Sequence, residues 1–300
     1  MIQICEISKS FGKRHAVKSI SLNIPPGELH GLIGPDGAGK TTLFRILSTL
    51  YLPDEGYATI GEWDVVKSYK KIRTLIGYMP GRFSLYPDLT VEENLNFFAT
   101  VFNVRVRDNY DLIKPIYAHI EPFKTRRAGA LSGGMKQKLA LSCALIHKPE
   151  VLLLNEPTTG VDAVSRREFW DMLDHLISLG LTILVSTPYM DEAERCHKIS
   201  LIHEGELFKT GTPAGIIQDF DLSLYSLRTP ERLNMLTYLR RSTEIVQAYP
   251  SGQEIHFSTY ENHENLKIRP FVSASGIHFT HLKHITPGIE DYLLRRLSRS

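Results

Sequence analysis

Apolar and polar positions alternate along residues 2 to 33, with β-branched side chains at Ile2, Ile4 and Ile7 and again at Val17, Ile20 and Ile24, until Pro25-Pro26-Gly27 interrupts the run. A period of two marks half-buried strands and the Pro-Gly break marks a turn, so this stretch predicts a sheet. Leu29-His30-Gly31-Leu32-Ile33-Gly34 reads as a short buried strand. It feeds a glycine-rich loop, and Thr41 to Leu47 continues at helical spacing.

Farther along, the apolar spacing predicts helices over Val91 to Val104, Leu131 to Ile146, Val164 to Leu179 and Tyr189 to Arg195. Between them Val151 to Leu154, Leu181 to Ser186 and Ile199 to Ile202 read as strands. Strands alternating with helices predict parallel βαβ units of an α/β fold, with the site at the strand C-termini. After Gly211-Thr212-Pro213 the pattern changes. Strand-like Leu222 to Leu227, helix-like Glu231 to Arg241, a hairpin around Ser251-Gly252, strand-like Ile277-His278-Phe279 and an amphipathic Ile289 to Leu297 predict a small α+β module. The expected domains are 1–218 and 219–300, with no internal repeat or low-complexity segment.

A chain of 300 residues with 42% apolar content suits one large α/β unit plus an appendage. Lys and Arg number 35 against 33 Asp and Glu, which leaves no basic footprint and predicts no nucleic-acid partner. Cys5, Cys143 and Cys196 are odd in number and far apart, so neither a disulfide framework nor a paired-cysteine metal site fits, and a reducing cytosol is expected. No leader is legible at Met1 to Glu6, and no stretch approaches the ~18 apolar residues of a membrane span. Any membrane spanning falls to other subunits.

Gly34-Pro35-Asp36-Gly37-Ala38-Gly39-Lys40-Thr41 fits the G-x-x-x-x-G-K-[ST] phosphate loop in its required strand-to-helix context, with Thr42 following. Glycines let backbone N–H groups turn inward as an anion nest, and the helix N-terminus adds about half a positive charge. Lys40 is expected to reach the β- and γ-phosphates, and the Thr41 hydroxyl to bind Mg²⁺. A second element, Val151-Leu152-Leu153-Leu154-Asn155-Glu156-Pro157, delivers polar groups from an apolar strand. Glu156 can polarise an attacking water there, although a strand ending in Asn-Glu is by itself often only a strand end.

Joined by Leu131-Ser132-Gly133-Gly134-Met135 and by Asn155-Glu156-Pro157-Thr158-Thr159-Gly160-Val161-Asp162, these motifs resemble the ATP-binding cassette (ABC) proteins over residues 1 to 218. The likeness is greatest to the nucleotide-binding subunits of multidrug- or daunorubicin-type exporters. It implies an ABC-type P-loop NTPase domain with antiparallel β and helical subdomains, and ATPase activity with ATP and Mg²⁺. It also implies separate membrane-spanning permease subunits and a peripheral position on the inner face of the cell membrane. A head-to-tail pair with a second cassette, identical or different, is part of the same pattern. In that pair Ser132, Gly133 and Gly134 close over the ATP held by the partner's phosphate loop, which agrees with an anion site at a helix start. The resemblance makes Phe11 the adenine-stacking aromatic, Thr41 and Asn155 the metal side and Glu156 the catalytic carboxylate; an aromatic on a sheet surface is also ordinary packing. Arg82-Phe83-Ser84-Leu85-Tyr86 resembles part of the family's coupling surface, or equally helix-bundle packing.

Three positions depart from the family pattern, all on the hydrolysis side. Asn155 stands where Asp is usual, Gly81 of Met79-Pro80-Gly81 where Gln is usual, and Pro188 of Ser186-Thr187-Pro188-Tyr189 where His is usual. A neutral amide weakens metal affinity, glycine has no side chain, and Pro188 cannot donate a hydrogen bond. Losing one transition-state contact commonly costs about 10²–10³ in rate, so impaired hydrolysis is expected; the alternative is that the chain tolerates these changes and still hydrolyses ATP through Glu156 and a positioned water. His197 and His203 follow Pro188 at strand or loop spacing. The rival class is a soluble regulatory ATP switch that transports nothing; such proteins usually carry two cassettes, whereas this chain has one phosphate loop. The C-terminal module carries no legible chemistry. Its Arg295-Arg296-Leu297-Ser298-Arg299 end reads as a solvated helix terminus, and His256, His263, His278, His281 and His284 show no metal-ligand spacing.

Overall fold

The computed structural model describes residues 1–260 and 265–297, so His263, Ser298 and Arg299 lie outside the described residues. The chain divides into two compact units, Met1–Thr212 and Pro213–Ser300. The helix Pro213–Gln218 falls in the second unit, where it packs on the last helix, Ile289–Leu297.

In the first unit two sheets sandwich a helix. An antiparallel sheet runs in the order Arg14–Ile24, Ile2–Phe11, Glu55–Ile60, Trp63–Asp64. Its inward face supplies Ile2, Ile4, Ile7, Ile20 and Ile24, all fully or nearly fully buried. A second sheet runs Glu206–Gly211, Lys198–His203, Leu29–Ile33, Thr182–Thr187, Val151–Asn155, Ile76–Met79. All its pairings are parallel except that of the edge strand Glu206–Gly211. Leu29–Ile33, Val151–Asn155 and Thr182–Thr187 are buried along their whole length, as central parallel strands covered on both faces must be. The helix Lys40–Leu47 lies between the sheets and puts Leu43, Phe44, Ile46 and Leu47 into one core with both. Each such side chain contributes about 1.5–3 kcal/mol by leaving water.

The helices Val91–Val101 and Tyr110–Tyr117 each pack on Gly133–Leu145. Val91–Val101 begins in a complete capping box, with Thr90 and Glu93 each bonding the other's backbone N–H. In the second unit an antiparallel sheet runs Gln247–Ser251, Glu254–Tyr260, Leu222–Arg228, His281–Ile285. The hairpin expected around Gly252 forms there. The expected strand at Ile277 to Phe279 does not: those residues have no regular structure, and the fourth strand is His281–Ile285. Ile277 and Phe279 pack against the module's core instead of pairing, so their apolar character recorded burial and not strand.

Candidate functional site

The phosphate loop sits where Leu29–Ile33 ends and Lys40–Leu47 begins. Close backbone approach dictates its glycines. A Cβ on Gly34 would fall 2.2 Å from the Ile202 carbonyl oxygen, and one on Gly39, at φ +108°, would fall 2.3 Å from that of Ala16. Neither position tolerates a side chain without moving a neighbouring strand. Lys40 is 2% exposed, donates to the Gly34 and Pro35 carbonyls at 2.8 and 3.0 Å, and pairs with Glu156 at 3.3 Å.

Glu156 follows the strand Val151–Asn155 in a left-handed conformation, φ +52°, which costs an ordinary residue about 1–2 kcal/mol. Its N–H donates to the Ser186 carbonyl at 3.0 Å and the Ser186 hydroxyl at 3.1 Å, which holds the turn and directs the carboxylate towards Lys40. Phe11, Gly37, Gly39, Lys40, Thr41, Thr42 and Glu156 line one cavity of about 360 Å³. Phe11 lies at its rim, 46% exposed, with its ring edge-on to Tyr51 at 5.5 Å. Pro35, Asp36 and Ala38 complete the loop, and the Ala38 carbonyl accepts from Gly205 N–H at 2.9 Å. Arg14, which no motif singles out, shares the cavity wall and donates to the Gly37 carbonyl at 3.4 Å. The only sequence clue to Arg14 is its place three residues after Phe11 on the hairpin above the loop.

Ser132, Gly133 and Gly134 do not line this cavity. They open the helix Gly133–Leu145, where Ser132 Oγ accepts from Met135 N–H at 3.3 Å. Gly134 is pressed against the next helix, Ala163–Ser178: a Cβ there would lie 2.4 Å from Ser165 Oγ.

The family implies Mg²⁺, so the donor set beside Thr41 matters. Asn155 is 3% exposed; its Oδ1 accepts from Ser186 Oγ at 2.8 Å and its Nδ2 donates to Thr41 Oγ1 at 3.1 Å. A divalent cation takes oxygens, preferably anionic ones. Here the Thr41 hydroxyl meets a neutral amide, Asn155 Nδ2 at 3.1 Å and Oδ1 at 3.4 Å, and among the described residues no three His, Cys, Asp or Glu side chains gather to hold a metal. These residues fit a tightly held divalent ion poorly. Pro188 adds no donor, but its neighbourhood is ordered: Thr187 and Thr158 both donate to the buried Glu192 carboxylate, and Tyr189 N–H donates to Thr187 Oγ1 at 3.0 Å.

A separate apolar groove of about 460 Å³ is lined by Leu50, Tyr78, Met79, Leu85, Phe98 and Phe102, among others. Of the segment Arg82 to Tyr86, Ser84 and Leu85 face this groove, whereas Tyr86 is 47% exposed and edge-on to Phe97 at 4.8 Å. Among the described residues no helix is long and apolar enough to cross a membrane.

The family model for ABC transporters matches residues 17–159. The chain is 39% identical over 280 residues to a probable multidrug ABC transporter ATP-binding protein, YbhF of Escherichia coli, covering 92% of this chain but 48% of that protein. It therefore spans about half the length of that relative. Nod factor export ATP-binding protein I of Burkholderia lata is 33% identical over 305 residues, covering 99% of this chain and 97% of its own length. Among solved structures, a dimeric ATP-binding cassette in a post-hydrolysis state with ADP and Pi matches with TM-score 0.64 at 27% identity, covering 71% of this chain and 98% of that one. An ATP-binding subunit of an ABC transporter matches with TM-score 0.67 at 25% identity, covering 73% and 93%. With this fold, the phosphate loop and the helix that Ser132-Gly133-Gly134 opens, the chain belongs to the ABC transporter family as an ATP-binding subunit.

Proposed function

We propose that this chain binds ATP in the cavity between Phe11 and Glu156 and couples it to export through separate membrane-spanning permease subunits, from a peripheral position on the cytoplasmic face. The relative named for Nod factor export supports the direction. The apolar groove beside Leu85 is the docking place for a permease segment.

Its own hydrolysis site is the weakened half of a pair. The observation that carries this reading is the contrast within one cavity. On the binding side the loop, Lys40 and the rim aromatic are complete. On the hydrolysis side Glu156 stands without the side chains that Gly81 and Pro188 lack, and with Asn155 in place of an anion. Ser132, Gly133 and Gly134 lie outside this cavity and serve the nucleotide of a second cassette, which carries the full catalytic set.

The test is steady-state ATP hydrolysis by the purified chain alone and mixed with a candidate partner cassette that carries the full catalytic set. Slow turnover alone and recovery on mixing are expected. Robust turnover by the isolated chain would overturn the asymmetric pair, and loss of all nucleotide binding would overturn the site.

A further inference from the structure

Asn155 closes a chain of hydrogen bonds at the foot of the phosphate loop. Glu156 N–H donates to Ser186 Oγ at 3.1 Å, and Ser186 Oγ donates to Asn155 Oδ1 at 2.8 Å. The far end of the amide, Nδ2, donates to Thr41 Oγ1 at 3.1 Å. The Thr41 hydroxyl also lies 3.4 Å from Asn155 Oδ1 in donating geometry, so it meets both ends of a neutral amide and no carboxylate. Asn155 and Ser186 are buried, at 3% and 0% exposure, so the bond between them is shielded from water, while Thr41 lies at the cavity wall.

An aspartate in the same place would present an anion to Thr41 and draw a cation to that hydroxyl. The neutral amide offers no anion there and draws a cation less strongly. The wall of the same cavity carries a charge that could take over part of a cation's work. The Arg14 guanidinium, anchored on the Gly37 carbonyl, faces the space above the loop, while Lys40 divides its charge between the loop carbonyls and Glu156.

Building on the reading that this cavity binds ATP, we propose that the cassette holds the nucleotide without need of a divalent ion. The Asn155 amide fixes the Thr41 hydroxyl, and Arg14 supplies positive charge to the phosphates. Metal-independent grip suits a site whose task is to stay closed and not to turn over.

The experiment is equilibrium binding of ATP to the full chain by titration calorimetry, in excess Mg²⁺ and in excess EDTA. The affinities are expected to agree within about threefold. Asn155→Asp is expected to make binding tighten about 10–100-fold with Mg²⁺, the range by which groups around a metal's ligands alter affinity. Arg14→Ala is expected to weaken binding about tenfold or more in EDTA, as loss of a hydrogen bond to a charged group does. Thermal melting of each variant verifies folding, and the wild-type comparison stands without any variant. A tenfold or greater loss of wild-type affinity on chelation overturns the proposal while leaving the nucleotide site intact. An Asn155→Asp variant as indifferent to Mg²⁺ as the wild type overturns the role given to Asn155. Absence of binding in both buffers overturns the nucleotide reading itself.

Discussion

Gly81 packs directly against Asn155: a Cβ on Gly81 would fall 3.1 Å from the Asn155 carbonyl oxygen and 3.3 Å from its amide nitrogen. Two positions that depart separately from the family pattern are therefore neighbours in space. A side chain at 81 must push on a residue already tied to Thr41 and Ser186. The two departures form one altered surface facing the hydrolysis side of the cavity.

Restoring the usual residue at position 81 alone is therefore not expected to restore turnover. Gly81→Gln should lower stability by about 1–3 kcal/mol through overpacking against Asn155, and leave ATP hydrolysis at its low level. A melting curve and a phosphate-release assay check both parts. A large gain in turnover with unchanged melting temperature would show that Asn155 yields freely and that the missing Gln side chain was the only defect.

Lys40 and Glu156 share an ion pair of 3.3 Å but are expected to fail differently. Lys40→Ala removes the buried cation that the loop carbonyls orient, and ATP binding should fall below detection. Glu156→Gln keeps the shape, removes a negative charge beside the phosphates, and should hold or tighten binding while abolishing residual turnover. Equal loss of affinity in both variants would contradict the division of roles between them.

The motifs were legible because phosphate binding constrains backbone and side chain together: Gly34, Gly39 and Lys40 sit in a strand-to-helix turn that few other functions need. The central strands were legible too, since Val151–Asn155 and Thr182–Thr187 are buried on both faces and read as bare apolar runs. Arg14 was not, because its place on the cavity wall depends on how one sheet stacks over the loop of the other. Tyr110–Tyr117 was equally hidden, with Pro115 inside it masking the helical period. Ile277 and Phe279 misled for the opposite reason: burial without pairing leaves the same trace as a strand.

His30, fully buried in the strand Leu29–Ile33, bonds Glu28 at 2.8 Å and Ser200 at 2.9 Å. Burial pushes its imidazole below the ordinary histidine range, partly opposed by the Glu28 hydrogen bond. The unfolded chain then takes up a proton near pH 6.5 while the folded chain resists it. Its contribution is complete above that pH and is lost as pH falls through the lower, folded value. Melting of the wild type should drop more steeply, as pH falls below about 6.5, than that of His30→Gln, which has no proton to gain. Parallel curves would remove His30 as the source.

Asp291 gives the second unit the same sign of dependence at lower pH. Its burial alone would raise the carboxyl, but hydrogen bonds from His256, Tyr249 and the Gly288 N–H together hold it below its ordinary value. These partners join the last helix to the sheet, since Tyr249 and His256 lie on adjacent strands. A depressed folded value means that the ionised carboxylate stabilises the module above the unfolded value, about 3.9, and that this share disappears as pH falls through the folded one. Asp291→Asn should therefore destabilise the module by about 1–3 kcal/mol at neutral pH. The gap from wild type should narrow steadily below about pH 4, as protonation turns the wild-type carboxylate into a neutral group. Denaturant unfolding of the two proteins across that range tests this, and a gap that stays constant into strong acid would mean that the Asp291→Asn variant fails through packing and not through lost charge.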